Sequence, residues 1–180
     1  MEETKEIIRF DSKAQTRDER QSKNQKQKMA NHARNGELLY YGVRGMMMTP
    51  LAMCEKLDRM FGSGSEAIVH YMQFESGRCT FDTMVENNPT KSREEVLRLL
   101  VELQPSMGWG CVSLTILHTK PPTADIVVRN PPVKCLKGSQ KQIIGSFWAG
   151  VLSRYFNEQL VSKNFDYDAQ KDEFRCTSTV

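Results

Sequence analysis

Residues 139–160 read SQKQIIGSFWAGVLSRYFNEQL, and this stretch decides how the rest of the chain is arranged. Its large apolar residues recur at helical spacing and cover more than half of the helix circumference. These residues are Ile143, Ile144, Phe147, Trp148, Val151, Leu152, Tyr155 and Phe156. We therefore expect a central helix that is almost entirely buried. Its small residues Gly145, Ala149 and Ser153 form a narrow stripe along which another helix or a bound ligand can come close.

Strand-forming residues flank this helix on both sides. Before it, residues 109–119 and 124–129 are rich in β-branched and apolar residues and are joined by Lys-Pro-Pro-Thr, which predicts a hairpin. After it, residues 161–168 and 173–178 predict a closing hairpin. The inward face of the first hairpin is expected to carry Val112, Leu114 and Ile116.

Two helices are predicted between residues 51 and 85. The first follows Thr49-Pro50 and ends near Gly62, and the second begins at Ser65. Gly77 is expected to kink or stop the second helix, with a shorter continuation as far as Val85. The residues expected to face inward are Leu51, Cys54, Leu57 and Phe61 from the first helix and Ile68, Tyr71, Met72 and Phe74 from the second.

A third helix and an initial strand complete the predicted elements. Ser92-x-x-Glu95 is a capping box, and Pro105 and Gly108 close the helix that follows it. Its apolar stripe consists of Val96, Leu99, Leu100 and Leu103. The run of strand-forming residues over 37–43 predicts a single strand before the first helix.

The composition indicates one water-soluble domain. The chain has 180 residues, 25 Lys and Arg against 22 Asp and Glu, and 39% hydrophobic residues. No stretch approaches the roughly 18 consecutive apolar residues of a membrane span, and the start of the chain lacks the pattern of a secretory signal. Five cysteines without a C-x-x-C pair indicate free thiols in a reducing compartment, so we expect a cytoplasmic protein.

Residues 1–35 differ in character from residues 36–180. The first segment is polar and carries the net positive charge, so we expect a solvated or frayed leader in front of a single domain. Two alternatives for this leader are a basic arm on nucleic acid and a segment that docks on a protein partner. Because Phe10 and Tyr40 have no aromatic residue between them, base stacking is disfavoured and nucleic-acid binding is not expected.

No catalytic or metal-binding motif is present. The three histidines fit no pattern with a nucleophile and an acid, and there is no phosphate-binding or dinucleotide-binding loop. Glu66 and His70 would share a helix face, but one such pair is a weak metal signal. The ten methionines are explained by core packing, with pocket lining as the alternative. We predict no catalytic residue, no metal and no cofactor.

The end of the chain resembles the closing block of the 4-vinyl-reductase-type, or hydrocarbon-binding, domain family. The resemblance is carried by Gly145-Ser-Phe-Trp-Ala-Gly150-Val-Leu-Ser153, by Tyr155-Phe156, by Phe165-Asp-Tyr-Asp168 and by Lys171-Asp-Glu-Phe-Arg-Cys176. Upstream elements also fit, so the resemblance covers roughly residues 37–179. It implies an α+β fold related to TRAPP transport subunits and to NO-signalling-like ligand-binding domains. In that fold an antiparallel sheet packs against about four helices, encloses an apolar cavity and is often dimeric.

One departure from the family pattern concerns metal binding. Family members commonly carry a second cysteine and a glycine where this chain has Asp168 and Asp172. Cys176 alone cannot form a metal or disulfide pair there, so we expect it to be a small buried apolar side chain.

The resemblance implies a non-enzymatic sensor of an apolar small molecule with a regulatory role, acting through a homodimer or through a protein partner that contacts the leader. The residues predicted to line the cavity are Phe147, Trp148, Val151, Tyr155, Tyr71, Met72, Trp109 and Cys111. One alternative is an accessory protein in the reduction of a tetrapyrrole vinyl group. A second is an assembly scaffold of the TRAPP type, in which an acyl chain or the protein's own side chains fill the core.

Overall fold

Seven strands are present in the part of the chain described by the computed structural model, which comprises residues 7–12, 39–40, 43–44, 51–132 and 138–180. The strands are β1 (Ile8–Asp11), β2 (Leu39–Tyr40), β3 (Val43–Arg44), β4 (Cys111–Thr119), β5 (Pro122–Arg129), β6 (Val161–Asp168) and β7 (Glu173–Thr179). Five of them form one antiparallel sheet in the order β1-β4-β5-β7-β6. Both predicted hairpins are therefore confirmed.

Four α-helices pack with this sheet within the described residues. They are α1 (Leu51–Phe61), α2 (Gly64–Glu86), α3 (Arg93–Leu103) and α4 (Lys141–Phe156). Short 3-10 turns, Gln104–Met107 and Gly138–Gln140, follow α3 and precede α4. The predicted α+β class with an antiparallel sheet and about four helices is confirmed. Among the described ranges, no helix combines the length and the apolar content needed to cross a membrane.

The core lies between one face of the sheet and the helices. Along β4, residues alternate between buried and half-buried, as expected for a strand with one face on the core. Val112, Leu114 and Ile116 are buried on the inner face, as predicted. Every residue of α4 from Ile143 to Ser153 is buried, which confirms that this helix is central.

The close contact between α2 and α4 depends on two glycines. A Cβ atom on Gly77 would lie 2.0 Å from the carbonyl oxygen of Phe147, and one on Gly150 would lie 2.0 Å from that of Phe74. Gly77 therefore permits close packing within a continuous 23-residue helix, and the prediction that it stops the helix is wrong. The small-residue stripe of α4 is close to a strand at Gly145, where a Cβ would meet the side chain of Phe165 on β6.

The inner face of α2 is rotated relative to the prediction. Its buried residues include Val69, Gln73 and Phe81 besides Phe74 and Gly77. Ile68 and Tyr71, which were expected to face inward, are exposed because they lie on the opposite side of the helix. Phe61 at the end of α1 is also exposed, while Cys54 of the same helix is buried as expected.

Two differences from the sequence prediction concern the first 44 residues. Residues 8–11 of the expected leader form β1, which pairs with β4 and buries Phe10. This part of the leader therefore belongs to the sheet, and the division at residue 35 does not hold for it. Instead of one strand over residues 37–43, Leu39–Tyr40 and Val43–Arg44 pair with each other as a separate small ladder. Residues 1–6 and 13–35 and the expected cap at Thr49-Pro50 lie outside the described residues.

The third helix begins and ends as predicted. Ser92 accepts a hydrogen bond from the Glu95 N–H at 3.2 Å, and the Glu95 carboxylate accepts one from the Ser92 N–H at 2.7 Å. These reciprocal bonds satisfy amides that lack a partner inside the helix. After Leu103 the chain tightens into the 3-10 turn, and Gly108 ends it with a positive φ of 79° that glycine adopts without strain.

The close approach of α2 and α4 predicts the effect of adding one methyl group. Gly77→Ala or Gly150→Ala places Cβ against a backbone carbonyl that no side-chain rotation can move. Each variant should lose about 1–3 kcal/mol of unfolding free energy, measured by urea denaturation. Gly64→Ala in α2 is the matched control, because a Cβ there meets nothing nearer than 3.9 Å. Equal stability of the three variants would contradict this packing.

Candidate functional site

Three aromatic side chains meet where α4 approaches the start of β4. The ring of Trp109 lies 5.0 Å from that of Phe147, and the ring of Phe147 lies 5.8 Å from that of Trp148, in an edge-to-face arrangement. We call Trp109, Phe147 and Trp148 the aromatic cluster. Phe147 and Trp148 are buried and Trp109 is half-buried, so the cluster extends from the interior toward the surface.

The position of Trp109 follows from the turn after α3. Gly108 reverses the chain, and the Trp109 N–H then donates to the backbone oxygen of Gln104 at 3.1 Å. Gln104 is itself fully buried, and its side-chain Nε2 donates to the Leu100 carbonyl at 3.1 Å. This hydrogen bonding attaches the end of α3 to the aromatic cluster through the backbone of Trp109.

Two buried side-chain atoms, one on the aromatic cluster and one on Gln104, have no hydrogen-bond partner among the described residues. They are the indole Nε1 of Trp148 and the amide Oε1 of Gln104. Leaving such a group unpaired costs about 1–3 kcal/mol, because its hydrogen bond to water is lost on folding. The indole can only donate, and the amide oxygen can only accept. We call the aromatic cluster together with Gln104 the Trp148 site.

The other residues predicted to line the cavity are spread along α2, α4 and β4. Val151 is buried one turn after Phe147, and Tyr155 is half-buried, with its ring 6.2 Å from Phe81. Burial raises the pKa of the Tyr155 phenol. Cys111 and Met72 are half-buried, Cys111 lying two residues after Trp109. Contact of these residues with a ligand stays a prediction.

Tyr71 does not belong with the other predicted lining residues. Its side chain is 67% exposed, so it cannot face Trp148 across the core, and this part of the prediction is wrong. Tyr71 instead borders a surface groove of about 340 Å³ between α2 and the turn that follows α4. The groove is largely polar and open to solvent, which distinguishes it from the expected apolar interior.

The floor of this groove is a stack of three side chains on α2. The Phe74 ring lies 5.8 Å from the imidazole of His70 and 5.9 Å from the guanidinium of Arg78. The spacing of four residues places the three side chains on one helix face. His70 Nδ1 is 2.8 Å from the Ser146 hydroxyl, while Glu66 pairs with Lys141 at 2.8 Å. Glu66 and His70 thus engage separate partners.

The start of α4 is held by a carboxylate that the sequence did not single out. Asp58 of α1 accepts hydrogen bonds from the Ser65 hydroxyl at 2.5 Å and from the Ser139 N–H at 3.1 Å. The hydrogen bond from Ser65, followed by those from Ser139, lowers the pKa of Asp58. Asp58 therefore links α1 to the turn that leads into α4. Neither Asp58 nor Gln104 stands in a motif, so only tertiary structure reveals them.

Cys176 on β7 is only 3% exposed, which agrees with the expectation of a small buried side chain. Burial raises the pKa of its thiol to about 12. A thiol with this pKa stays protonated at neutral pH, and the protonated form is a poor nucleophile and metal ligand. Among the described residues, no group of three or more potential metal ligands is assembled.

Thiol labelling tests this assignment directly. At about pH 8 a disulfide reagent should modify the exposed Cys79 quickly and leave Cys176 unmodified in the native protein, because only thiolates react. Mass spectrometry of peptides after digestion identifies which cysteine has reacted. Unfolding in urea is the control and should make both thiols reactive. Rapid native modification of Cys176 would contradict its burial.

The comparisons with known proteins identify the fold. No family model matches the chain, and no curated protein matches its sequence. Among solved structures, the chain is similar to the phenol-responsive sensory domain of the transcription activator PoxR, determined with phenol. The TM-score is 0.60 at 11% sequence identity, and the match covers 88% of this chain and 89% of the other. At this identity the comparison establishes that the two chains share a fold.

Proposed function

We propose that this chain is a non-enzymatic binding domain that senses a small, mainly apolar molecule. The ligand binds at the Trp148 site, between α4 and the turn after α3. The indole N–H of the fully buried Trp148, which has no hydrogen-bond partner in the part of the chain that the structure describes, is the observation that carries this proposal. It provides one directional donor within apolar surroundings, and such isolated polar groups are what orient a ligand in an apolar site.

The energetics favour a ligand with one hydrogen-bonding group. Contact with the aromatic cluster contributes about 25 cal/mol for each Å² of apolar surface removed from water. A ligand oxygen could also accept from the Trp148 N–H, and a ligand hydroxyl that reaches the Gln104 amide oxygen could donate to it. Each such bond would remove the desolvation penalty of a buried atom. A pure hydrocarbon would gain only the free energy that comes from removing apolar surface from water.

The shared fold supports this proposal. The PoxR domain is described as phenol-responsive and as the sensory part of a transcription activator. A sensor of this kind transmits a signal through a surface whose conformation or contacts depend on the ligand. For this chain, we propose that the output runs through a homodimer or through a protein partner that contacts residues 1–35, in the cytoplasm. Phe147, Trp148, Trp109 and Cys111 remain our proposed lining residues, with Val151, Tyr155 and Met72 farther along the helices.

An assembly scaffold is the second candidate function. It is favoured by the glycine contacts of α2 with α4, which bring two backbones together, and by the large apolar side chains exposed on the outer helices. Met60, Phe61 and Tyr71 are the most exposed of these on α1 and α2. A scaffold would keep its interior permanently filled, whereas a sensor must bind and release its ligand.

Replacing the Trp148 indole with phenyl tests the proposed hydrogen bond. Titrating 2-naphthol and 2-methylnaphthalene into Trp148→Phe should show about a tenfold loss of affinity, or 1.4 kcal/mol, for the naphthol only. The hydrocarbon should bind both wild type and variant within about twofold, because it cannot accept a hydrogen bond. The chain has two tryptophans, so intrinsic fluorescence reports binding in each variant.

Trp109→Phe is the matched control. It alters the same aromatic cluster but not the unpartnered donor, so it should change the affinity for both probes by a similar factor. An equal loss of affinity for both probes in Trp148→Phe would refute the proposed hydrogen bond. Absence of binding of either probe to the wild type up to about 1 mM, a concentration corresponding to 4.1 kcal/mol, would overturn the proposed interior site.

Native mass spectrometry distinguishes a sensor from a scaffold. A sensor incubated with 2-naphthol should show a mass increase equal to the mass of one 2-naphthol molecule, and this increase should disappear on dilution. A scaffold should retain one unchanging occupant or acquire none. A stable covalent adduct on a cysteine would favour the scaffold, since it implies a permanently filled interior.

A further inference from the structure

The geometry points to one edge of β4, the edge away from β5, as a docking site for an extended peptide. In this structure the chain's own residues 7–12 occupy that edge. The partner it fits is an extended segment in which an apolar residue is followed two positions later by a large aromatic one. This site is separate from the Trp148 site and does not depend on the proposed function.

The segment binds in the manner of an added strand. β1 pairs antiparallel with β4 over four residues, from Ile8 opposite Ile116 to Asp11 opposite Ser113. The Ser12 N–H then donates to the Val112 carbonyl at 2.8 Å, and the Ser12 hydroxyl donates to the same oxygen at 2.9 Å. Pairing of this kind depends on backbone groups that every peptide has, so specificity must come from the side chains.

Phe10 supplies the specificity of this contact. Its side chain is 2% exposed, lies opposite Leu114 on the core face and has the Arg98 guanidinium of α3 5.8 Å from its ring centre. Ile8 packs partly against the same core. Arg9 and Asp11 are exposed and pair with each other at 2.8 Å, and Asp11 also accepts a hydrogen bond from the Ser113 hydroxyl of β4. Phe10 as the anchor and Ile8 as its support therefore define the apolar pattern that a partner must match, while Asp11 adds one polar contact with β4.

β1 differs from the central strands in how it is held. It pairs with a neighbour on one side only, whereas β4, β5 and β7 each have neighbours on both sides. Loss of β1 would expose the edge of β4 and the position of Phe10, while the α2–α4 contact and the pairing of β5 with β7 would remain. An element held by few contacts opens at lower free energy than the core, so β1 can exchange with a competing peptide.

The experiment uses the full chain carrying Phe10→Ala, which removes the anchor without shortening the protein. A fluorescent peptide of residues 5–14, KEIIRFDSKA, is titrated and its anisotropy recorded. It should bind this variant at least about tenfold more tightly than it binds wild type, where the tethered β1 competes at high effective concentration. The same peptide with alanine in place of phenylalanine should bind at least about tenfold more weakly to the variant.

Arg9→Ala is the matched control, because this side chain is exposed and makes no core contact. Its affinity for the fluorescent peptide should equal that of wild type. Failure of the folded Phe10→Ala chain to prefer the phenylalanine peptide would overturn the proposal. Hydrogen exchange on the wild type tests it even if that variant unfolds. The Ser12 amide, which donates to Val112, should exchange at least about tenfold faster than amides joining β5 to β7. Equal protection would show that β1 leaves only on global unfolding and would also overturn the proposal.

Discussion

The enclosure of α4 is the constraint on which the rest of the structure depends. A helix that buries all residues from Ile143 to Ser153 needs neighbours on every side, and the sheet and α2 supply them. On the α2 side, Gly77 and Gly150 allow the two backbones to meet with no side chain between them. Because this contact is made by backbone atoms, neither helix can rotate without a clash. The directions of Phe147 and Trp148 are thereby set by the packing of α4.

This enclosure explains why the polar atoms of the interior matter. Ser153 lies on the same helix, and its hydroxyl donates to the Ala149 carbonyl at 2.7 Å and accepts from the Leu160 N–H at 2.8 Å. Most buried polar groups in proteins are satisfied in this way. The indole of Trp148 and the amide oxygen of Gln104 differ from Ser153 in lacking such partners among the described residues. A phenylalanine at position 148 would avoid the unpaired donor, so the tryptophan has a cost that a hydrogen bond to the proposed ligand would offset.

The sequence predicted the elements whose apolar pattern repeats over several turns or along a strand. The circumference of α4, the capping box at Ser92 and the alternation of β4 are local signals, and all three are confirmed. The predicted inner face of α2 was wrong at Ile68 and Tyr71, because several faces of that long helix carry apolar residues and only packing selects one. The role of Gly77 was also misassigned, since a glycine that permits close contact looks the same in sequence as one that ends a helix.

Strand β1 was missed for a related reason. Four residues with one deeply buried side chain do not stand out within a polar segment, and their pairing with β4 spans about a hundred positions of sequence. Three of the four residues of the Trp148 site could be predicted, because Trp109, Phe147 and Trp148 are aromatic residues on elements that the sequence identifies. Gln104 could not, because its burial depends on how the end of α3 meets the turn before β4. The apolar residues of an interior site are thus recognisable from periodicity, while the polar atoms that give it selectivity emerge only from the fold.

Both proposed sites lie along α3 and β4, which gives them a physical connection. Gln104 and Trp109 bracket the turn that joins these two elements, while Arg98 and Leu114, on the same two elements, contact Phe10. A ligand that shifts the end of α3 relative to β4 would therefore alter the surroundings of Phe10. By thermodynamic reciprocity, a peptide that replaces β1 would change the affinity for that ligand by the same factor. A rigid α3–β4 unit would instead leave the two binding events independent, because coupling requires an element that differs between the two states.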